Sequence, residues 1–135
     1  MYTFSVAGPN SRRFQIRPPV VAFAGSRRGS LPDSVTSPLV HSFHSLGLSL
    51  LTGCASGIDG CFRKVMVQKP FEGRSMVACA FEERARRFDY EGLLGIPVVP
   101  VGISPAAALH RRTVWMVRRC GLLVLFPAHP VFGHW

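Results

Sequence analysis

From Val20 onward the chain alternates between short, continuously apolar runs and longer stretches in which apolar residues recur every three or four positions. The apolar runs are VVAFAG (20–25), LSLLTG (48–53), SMVACAF (75–81), IPVVPV (96–101) and LLVLFP (122–127). Runs of this length without polar alternation suit strands buried on both faces of a parallel sheet. IPVVPV contains Pro97 and Pro100, each lacking a ladder donor, so it is expected to be short or to lie near an edge.

The stretches between these runs read as helices. Ser37-Pro38 offers an N-cap with proline at the first helical position, and Leu39, Val40, Phe43 and Leu46 keep helical spacing until Gly47. IDGCFRKVMV (58–67) leaves a glycine turn as a helix, and EERARRFDYEGLL (82–94) places acids first and arginines later, matching the helix dipole, before Gly95. Ser104-Pro105 repeats the cap signal for a helix that carries Leu109, Trp115, Met116 and Val117 and ends at Gly121. Strand and helix in this order predict a Rossmann-like α/β three-layer sandwich, with a mainly parallel sheet of about five strands and helices on both faces.

The two ends of the chain differ from this pattern. YTFSV, the turn GPNS and FQIRPP predict a small hairpin extension over residues 1–19, ahead of a Rossmann-like domain over 20–135. AHPVFGHW (128–135) adds no helix over the last strand, where a doubly wound domain usually places one. A bare flank is therefore expected there, lacking a last strand and helix, and open to a homo-oligomeric or other partner.

Composition narrows the partners. With 47% hydrophobic and 17% charged residues, 135 residues suffice for one folded core. The net charge of +9 comes from 16 Lys and Arg against 7 Asp and Glu, and only Lys64 and Lys69 are lysines. Such a surface favours polyanions, and arginine in particular favours bidentate phosphate contacts. The four cysteines, Cys54, Cys61, Cys79 and Cys120, form no CxxC pair and read as free thiols of a cytoplasmic protein. No apolar stretch is long enough to cross a bilayer and the start lacks a signal-peptide pattern, so no membrane partner is expected.

Two glycine turns carry the chemistry. Gly25-Ser26-Arg27-Arg28 follows the first buried strand, and Gly53-Cys54-Ala55-Ser56-Gly57-Ile58-Asp59 follows the second. At the carboxyl ends of parallel strands, beside helix N-termini, such turns are where anions bind. The second turn's amides are expected to hold a phosphate, with Ser26 adding a hydroxyl and Arg27 a fork of donors. Asp59 is expected to cap or brace its turn by accepting backbone amides. Neither turn is the GxGxxG of nicotinamide enzymes or the GxxxxGK[ST] of P-loop proteins, and no cofactor is expected.

Other candidates rank lower. His41 and His44 share a polar helix face, without a third ligand to complete a metal site. Cys54 precedes a helix, where a thiol pKa falls, yet the chain places no base beside it. EER and RRFDY read as a solvated helix face with local ion pairs. HRRTVWMVRR sets Trp115 among Arg111, Arg112, Arg118 and Arg119, a mixture suited to stacking bases and holding phosphates, although the apolar neighbours of Trp115 favour a core role.

VVAFAGSRRGS (20–30) followed by LLTGCASGID (50–59) resembles the DNA processing protein A (DprA) branch of the SLOG superfamily, which also contains the lonely-guy (LOG) proteins. LHRRTVWMVRRCGLLVLFP (109–127) resembles the arginine-bearing helix and strand late in that fold. The resemblance spans roughly residues 20 to 127 and implies a domain that binds nucleotides or single-stranded DNA through phosphates. It carries Gly25, Ser26, Arg27, Gly53, Ala55, Gly57 and Asp59 onto the family pattern, with Arg111 or Arg112 facing the same pocket. The late PGGxGTxxE pattern of the lonely-guy enzymes, whose glutamate takes part in hydrolysis, has no counterpart in FPAHPVFGHW, so the resemblance does not carry their phosphoribohydrolase activity across.

Two main functions stay open at this level. One is a non-catalytic domain recognising a nucleotide or single-stranded nucleic acid at the two turns. The other is an enzyme or sensor for a small nucleotide or nucleotide sugar, with Asp59, Glu82 and Glu83 as the visible acids or bases. A subunit that binds no ligand and assembles through its open sheet edge is the third.

Overall fold

The structure, a computed structural model, describes residues 2–6, 12–16, 18–98 and 102–127. Two sheets are present. β1 (Tyr2–Val6) and β2 (Arg12–Ile16) pair antiparallel, as expected of the hairpin. The main sheet is parallel, in the order β6-β5-β4-β3-β7, built from β3 (Val20–Gly25), β4 (Ser49–Gly53), β5 (Ser75–Cys79), β6 (Leu94–Pro97) and β7 (Leu122–Phe126). Helices α1 (Asp33–Ser45), α2 (Ile58–Met66), α3 (Glu82–Glu91) and α4 (Pro105–Arg119) supply the crossovers.

The strand order dictates which face each helix covers. From β3 to β6 the chain steps in one direction, and right-handed crossovers put α1, α2 and α3 on one face. It then returns past β3 to lay down β7, so α4 covers the opposite face. The core divides accordingly. Val21, Phe23 and Leu50 join Val40 of α1, Phe62 and Met66 of α2 and Phe88 of α3, while Val20, Ala22, Leu51, Met76 and Ala78 pack with Met116 of α4. Phe23 stacks on Phe62 with ring centroids 4.3 Å apart, which pins α2 to the central strand.

Three boundaries differ from the sequence expectation. α1 begins at Asp33 with Pro32 at its N-cap, so Pro38 lies inside the helix instead of opening it. Burial decides this: Thr36 and Val40, four residues apart, are both fully buried and draw the earlier turn onto the sheet. α3 stops at Glu91, because Gly92 adopts φ 109° and ends the helix there, not at Gly95. The freed residues Leu93 and Leu94 are buried, and β6 starts at Leu94, two positions before the expected run. A side chain at Gly95 would strike the backbone of Ala85, so α3 lies directly against this strand. The remainder of the expected IPVVPV strand, residues 99–101, lies outside the described residues, as does AHPVFGHW.

β6 is indeed short and at an edge, as its prolines required. β7 forms the other edge, and Leu122, Leu123 and Leu125 are 40–60% exposed along it. No helix among the described residues is long and apolar enough to cross a membrane. His41 and His44 both turn their rings edge-on to Phe71.

Candidate functional site

The strand order reverses between β3 and β7, and an open parallel sheet has its ligand crevice at the carboxyl ends of such a pair. The turn after β3 lies there. Gly25 is in register with Phe126, and the Ser26 amide donates to the Phe126 carbonyl at 3.1 Å. A side chain on Gly25 would meet both Phe126 and Ile58, so only glycine lets β3 end between β7 and α2. The Arg28 amide donates to the Ser26 hydroxyl at 3.1 Å, which leaves that hydroxyl its own proton to donate.

The second turn is locked against the first. Gly57, at φ 76°, presses on the backbone of Ser26 and Arg27 so closely that any side chain would overlap it. The Ile58 amide donates to the Ser26 carbonyl at 3.0 Å, and the Ser56 hydroxyl donates to the Arg27 carbonyl at 3.4 Å. The start of α2 therefore docks onto the first turn, and at least the Ile58 amide is held by protein instead of pointing to an anion. Gly57 is the N-cap residue of α2 and no side chain caps it, so of the two roles expected for Asp59, capping and bracing, it has the second: it accepts the Ala55 amide of its own turn.

Asp59 also faces α4. Its Oδ2 lies 3.6 Å from Nη1 of Arg112, with the two side chains 3% and 11% exposed. Gly53 makes room for this pair, since a side chain there would collide with the Asp59 carboxylate and the Arg112 guanidinium. Burial lifts the Asp59 carboxyl from its ordinary 3.8 to about 6, against the opposing pull of Arg112, Arg63 and a hydrogen bond from the Ala55 amide. Desolvation thus outweighs a single ion pair at this separation.

Two further arginines converge on the same loop, and the sequence reading assigned neither to it. Arg63 donates through Nη1 to the carbonyls of Gly53 and Ala55, both at 2.7 Å, with its guanidinium 4.9 Å from the Phe88 ring centroid. The signal was its position four residues after Asp59, on the same side of α2. Arg84 belongs to the segment expected to be a solvated face, yet it turns inward and donates to the Cys54 carbonyl at 3.3 Å. Periodicity shows that a helix face is charged but not that one cation on it folds over a neighbouring loop.

Cys54 lies under these groups, 3% exposed. Its sulfur receives the Ala80 amide at 3.3 Å, Arg84 at 3.5 Å and Arg112 at 3.8 Å. Its thiol pKa falls, first through a hydrogen bond from Cys79 and then through the Ala80 amide, Arg84 and Arg112, while burial opposes the shift. Cys79 moves the other way, as the partner that keeps its proton. The lowering groups come from the end of β5, Cys79 and Ala80, and from arginines of α3 and α4.

Above this layer a cleft of about 610 Å³ opens between the first turn and α4. Gly25, Ser26 and Arg27 form one wall, and the first half of α4, from Pro105 to Thr113 and including His110 and Arg112, forms the other. Ser104 caps α4 by accepting the Ala107 amide at 3.3 Å, which fixes the start of that helix beside the cleft. Among the described residues no acidic side chain lines it. Of the predicted site residues, Gly25, Ser26, Arg27 and Arg112 meet at this cleft. Gly53, Cys54, Ala55 and Asp59 lie buried as its support, while Ser56 and Gly57 join the two turns. Arg28 is exposed and lines none of it, and Arg111 faces a separate groove on the outer side of α4.

Compared with protein-family models, with curated proteins and with solved structures, the chain gives no match.

Proposed function

We propose that the cleft between the β3 turn and α4 binds phosphate groups of a nucleotide or of single-stranded nucleic acid, as the DprA-like resemblance of the two glycine turns implies. One observation carries the reading. Arg27 and Arg112 stand on opposite walls of a single cleft, with the Ser26 hydroxyl and the capped start of α4 between them. The Arg27 fork, the Arg112 guanidinium and the Ser26 hydroxyl make a donor set for phosphate oxygens. Arg112 is held in place from below by Asp59, so its position does not depend on the ligand.

The alternative, catalysis on a small nucleotide, needs an acid or base at the reacting bond. Asp59 is buried beneath Arg112, Glu83 is exposed on α3 without lining the cleft, and the side chain of Glu82 lies outside the described residues. The arrangement favours holding a ligand over cleaving it.

The test is a titration of a fluorescent single-stranded oligonucleotide at several salt concentrations, with a mononucleotide as competitor and Arg27→Ala and Arg112→Lys as variants. Binding that weakens with salt by a slope near ~0.7 per phosphate contacted, and that drops in both variants, is the expected result. Failure of the parent protein to bind either the oligonucleotide or the mononucleotide overturns the proposal.

A further inference from the structure

The sequence set Trp115 among four arginines, and the structure divides that group between two sides of α4. Ala108, Arg112 and Met116, spaced by four, face inward: Ala108 and Met116 are buried and Arg112 pairs with Asp59. Arg111, Trp115, Arg118 and Arg119, at i, i+4, i+7 and i+8, form the stripe directly beside these, at the margin of the buried face. Trp115 is only partly buried. One side of it packs with the core cluster around Met76 and Leu94, while the rest opens into a groove of about 580 Å³ shared with those three arginines. The Arg119 guanidinium lies 5.4 Å from the indole centroid. A second hollow of about 320 Å³ continues from the same tryptophan over Met76 and Ile96.

The outer groove and the strand-end cleft are distinct hollows, but His110 lines both, so a single residue stands between them. A ligand leaving the cleft at His110 therefore runs directly onto the Arg111 and Trp115 face. From Arg111 to Arg119 this face extends ~12 Å at ~1.5 Å per residue, more than one nucleotide of an extended strand covers. Among the described residues no acid lines the groove, so its charge is unopposed and selects a polyanion. A partly buried indole with a guanidinium over one face can stack a base on the ring or in place of that arginine, and flanking guanidinium groups hold the intervening phosphates.

Building on the phosphate-binding role of the cleft, we infer that the Trp115 face of α4 is a base-stacking subsite, so that the ligand is a single strand crossing α4 and not a lone nucleotide. The chain has two tryptophans, and a Trp135→Phe background leaves Trp115 as the sole indole reporter. In that background an oligonucleotide quenches the fluorescence and a mononucleotide does not. Trp115→Leu lowers oligonucleotide affinity about 5- to 150-fold, the loss of one stacked base, with the salt slope retained, while Trp115→Phe keeps most of the affinity. Arg118→Ala with Arg119→Ala leaves the indole in place and lowers the salt slope by up to ~0.7 for each phosphate contact removed.

Quenching without any loss in the Leu variant, or no quenching with full oligonucleotide affinity in the Arg118 and Arg119 double variant, overturns the stacking subsite. If Arg27→Ala still abolishes binding in that case, the cleft reading stands alone. Should Trp115→Leu fail to fold, the quenching and the double variant decide. Binding of an acidic protein to this face, with no response to any oligonucleotide, overturns the subsite outright.

Discussion

Arg112 Nη1 stands 3.6 Å from Asp59 Oδ2, and through that contact α4 is tied to the first turn of α2 across the end of β4. The carboxyl keeps an affinity for protons because burial outweighs the attraction of its partner. Its native pKa is raised from 3.8 to about 6, so between these values the folded state binds a proton that the unfolded chain has released. Stability contributed by this group is present below pH ~4, falls as pH rises through about 6, and is level above. The change is on the order of 3 kcal/mol at ~1.4 kcal/mol per pH unit. Thermal melts from pH 4 to 7 on the parent and on Asp59→Asn should show this decline in the parent only. A parent that gains stability over the window relative to the Asn variant would mean that the ion pair wins.

Gly57 of the second turn, Gly47 after α1 and Gly60 inside α2 should respond to alanine with different signs and sizes. Gly57→Ala puts a side chain at φ 76° and into the backbone of Ser26 and Arg27, which has no room to yield. A loss of more than ~2 kcal/mol is expected, the left-handed strain of ~1–2 kcal/mol plus the overlap. Gly47→Ala, at φ 88° with nothing within 4 Å, should show the strain alone. Gly60→Ala lies inside α2 with only Arg63 at 3.5 Å, and should stabilise by ~0.5–1 kcal/mol. Urea titrations of the three variants give the order, and equal effects at Gly57 and Gly47 would remove the packing argument.

Cys54 should behave as a preformed but shielded thiolate. An ordinary thiol with pKa 9.0 alkylates about tenfold faster for each unit by which pH rises towards that value, whereas the lowered pKa of Cys54 removes this dependence near neutrality. Its alkylation in the native protein, followed by peptide mass mapping between pH 6 and 8, should be slow and nearly independent of pH, because exposure limits it. A tenfold rise per unit would show a normal thiol.

Neighbouring arginines should separate by position and not by charge. Arg27 lines the cleft, Arg28 does not, although both are exposed. Arg27→Ala is expected to weaken mononucleotide binding by about tenfold or more, a charged hydrogen bond of ~1.5–3 kcal/mol. Arg28→Ala should change it less than threefold. Isothermal titration of both at one ionic strength checks this, and equal losses would point to a diffuse field in place of a built contact.

Much of the architecture was legible because burial leaves a plain trace. VVAFAG, apolar throughout, and LSLLTG, broken only by Ser49 and Thr52, are buried strands of the main sheet, whereas the equally apolar LLVLFP is a strand at an exposed edge, not buried on both faces as expected. Boundaries were legible only where a local signal fixed them: Ser104-Pro105 starts α4 as read, but Ser37-Pro38 has the same form and lies inside α1. The difference is tertiary, since the burial of Thr36 outweighs the missing donor of Pro38. At the candidate site, the turns and Arg112 were readable from motif and spacing. Arg63 and Arg84 were not, because their partners are backbone carbonyls of a loop whose path depends on strand order. The same holds for Gly57, whose need for glycine comes from another turn thirty residues upstream in the chain.

The pairing of β3 with β7 also sets a timetable. Val21 finds Leu122 as its neighbour, and Gly25 finds Phe126, so one of the first core strands to leave the ribosome waits for the last described one. β3, β4, β5 and β6 with their three helices can assemble from contacts between consecutive segments, but the crevice at the strand ends has no second wall until α4 and β7 arrive. Closing so long a loop is the slow step expected of distant parallel pairing. A nascent or truncated chain ending before residue 122 consequently holds both glycine turns and still lacks the strand that makes them a switch point.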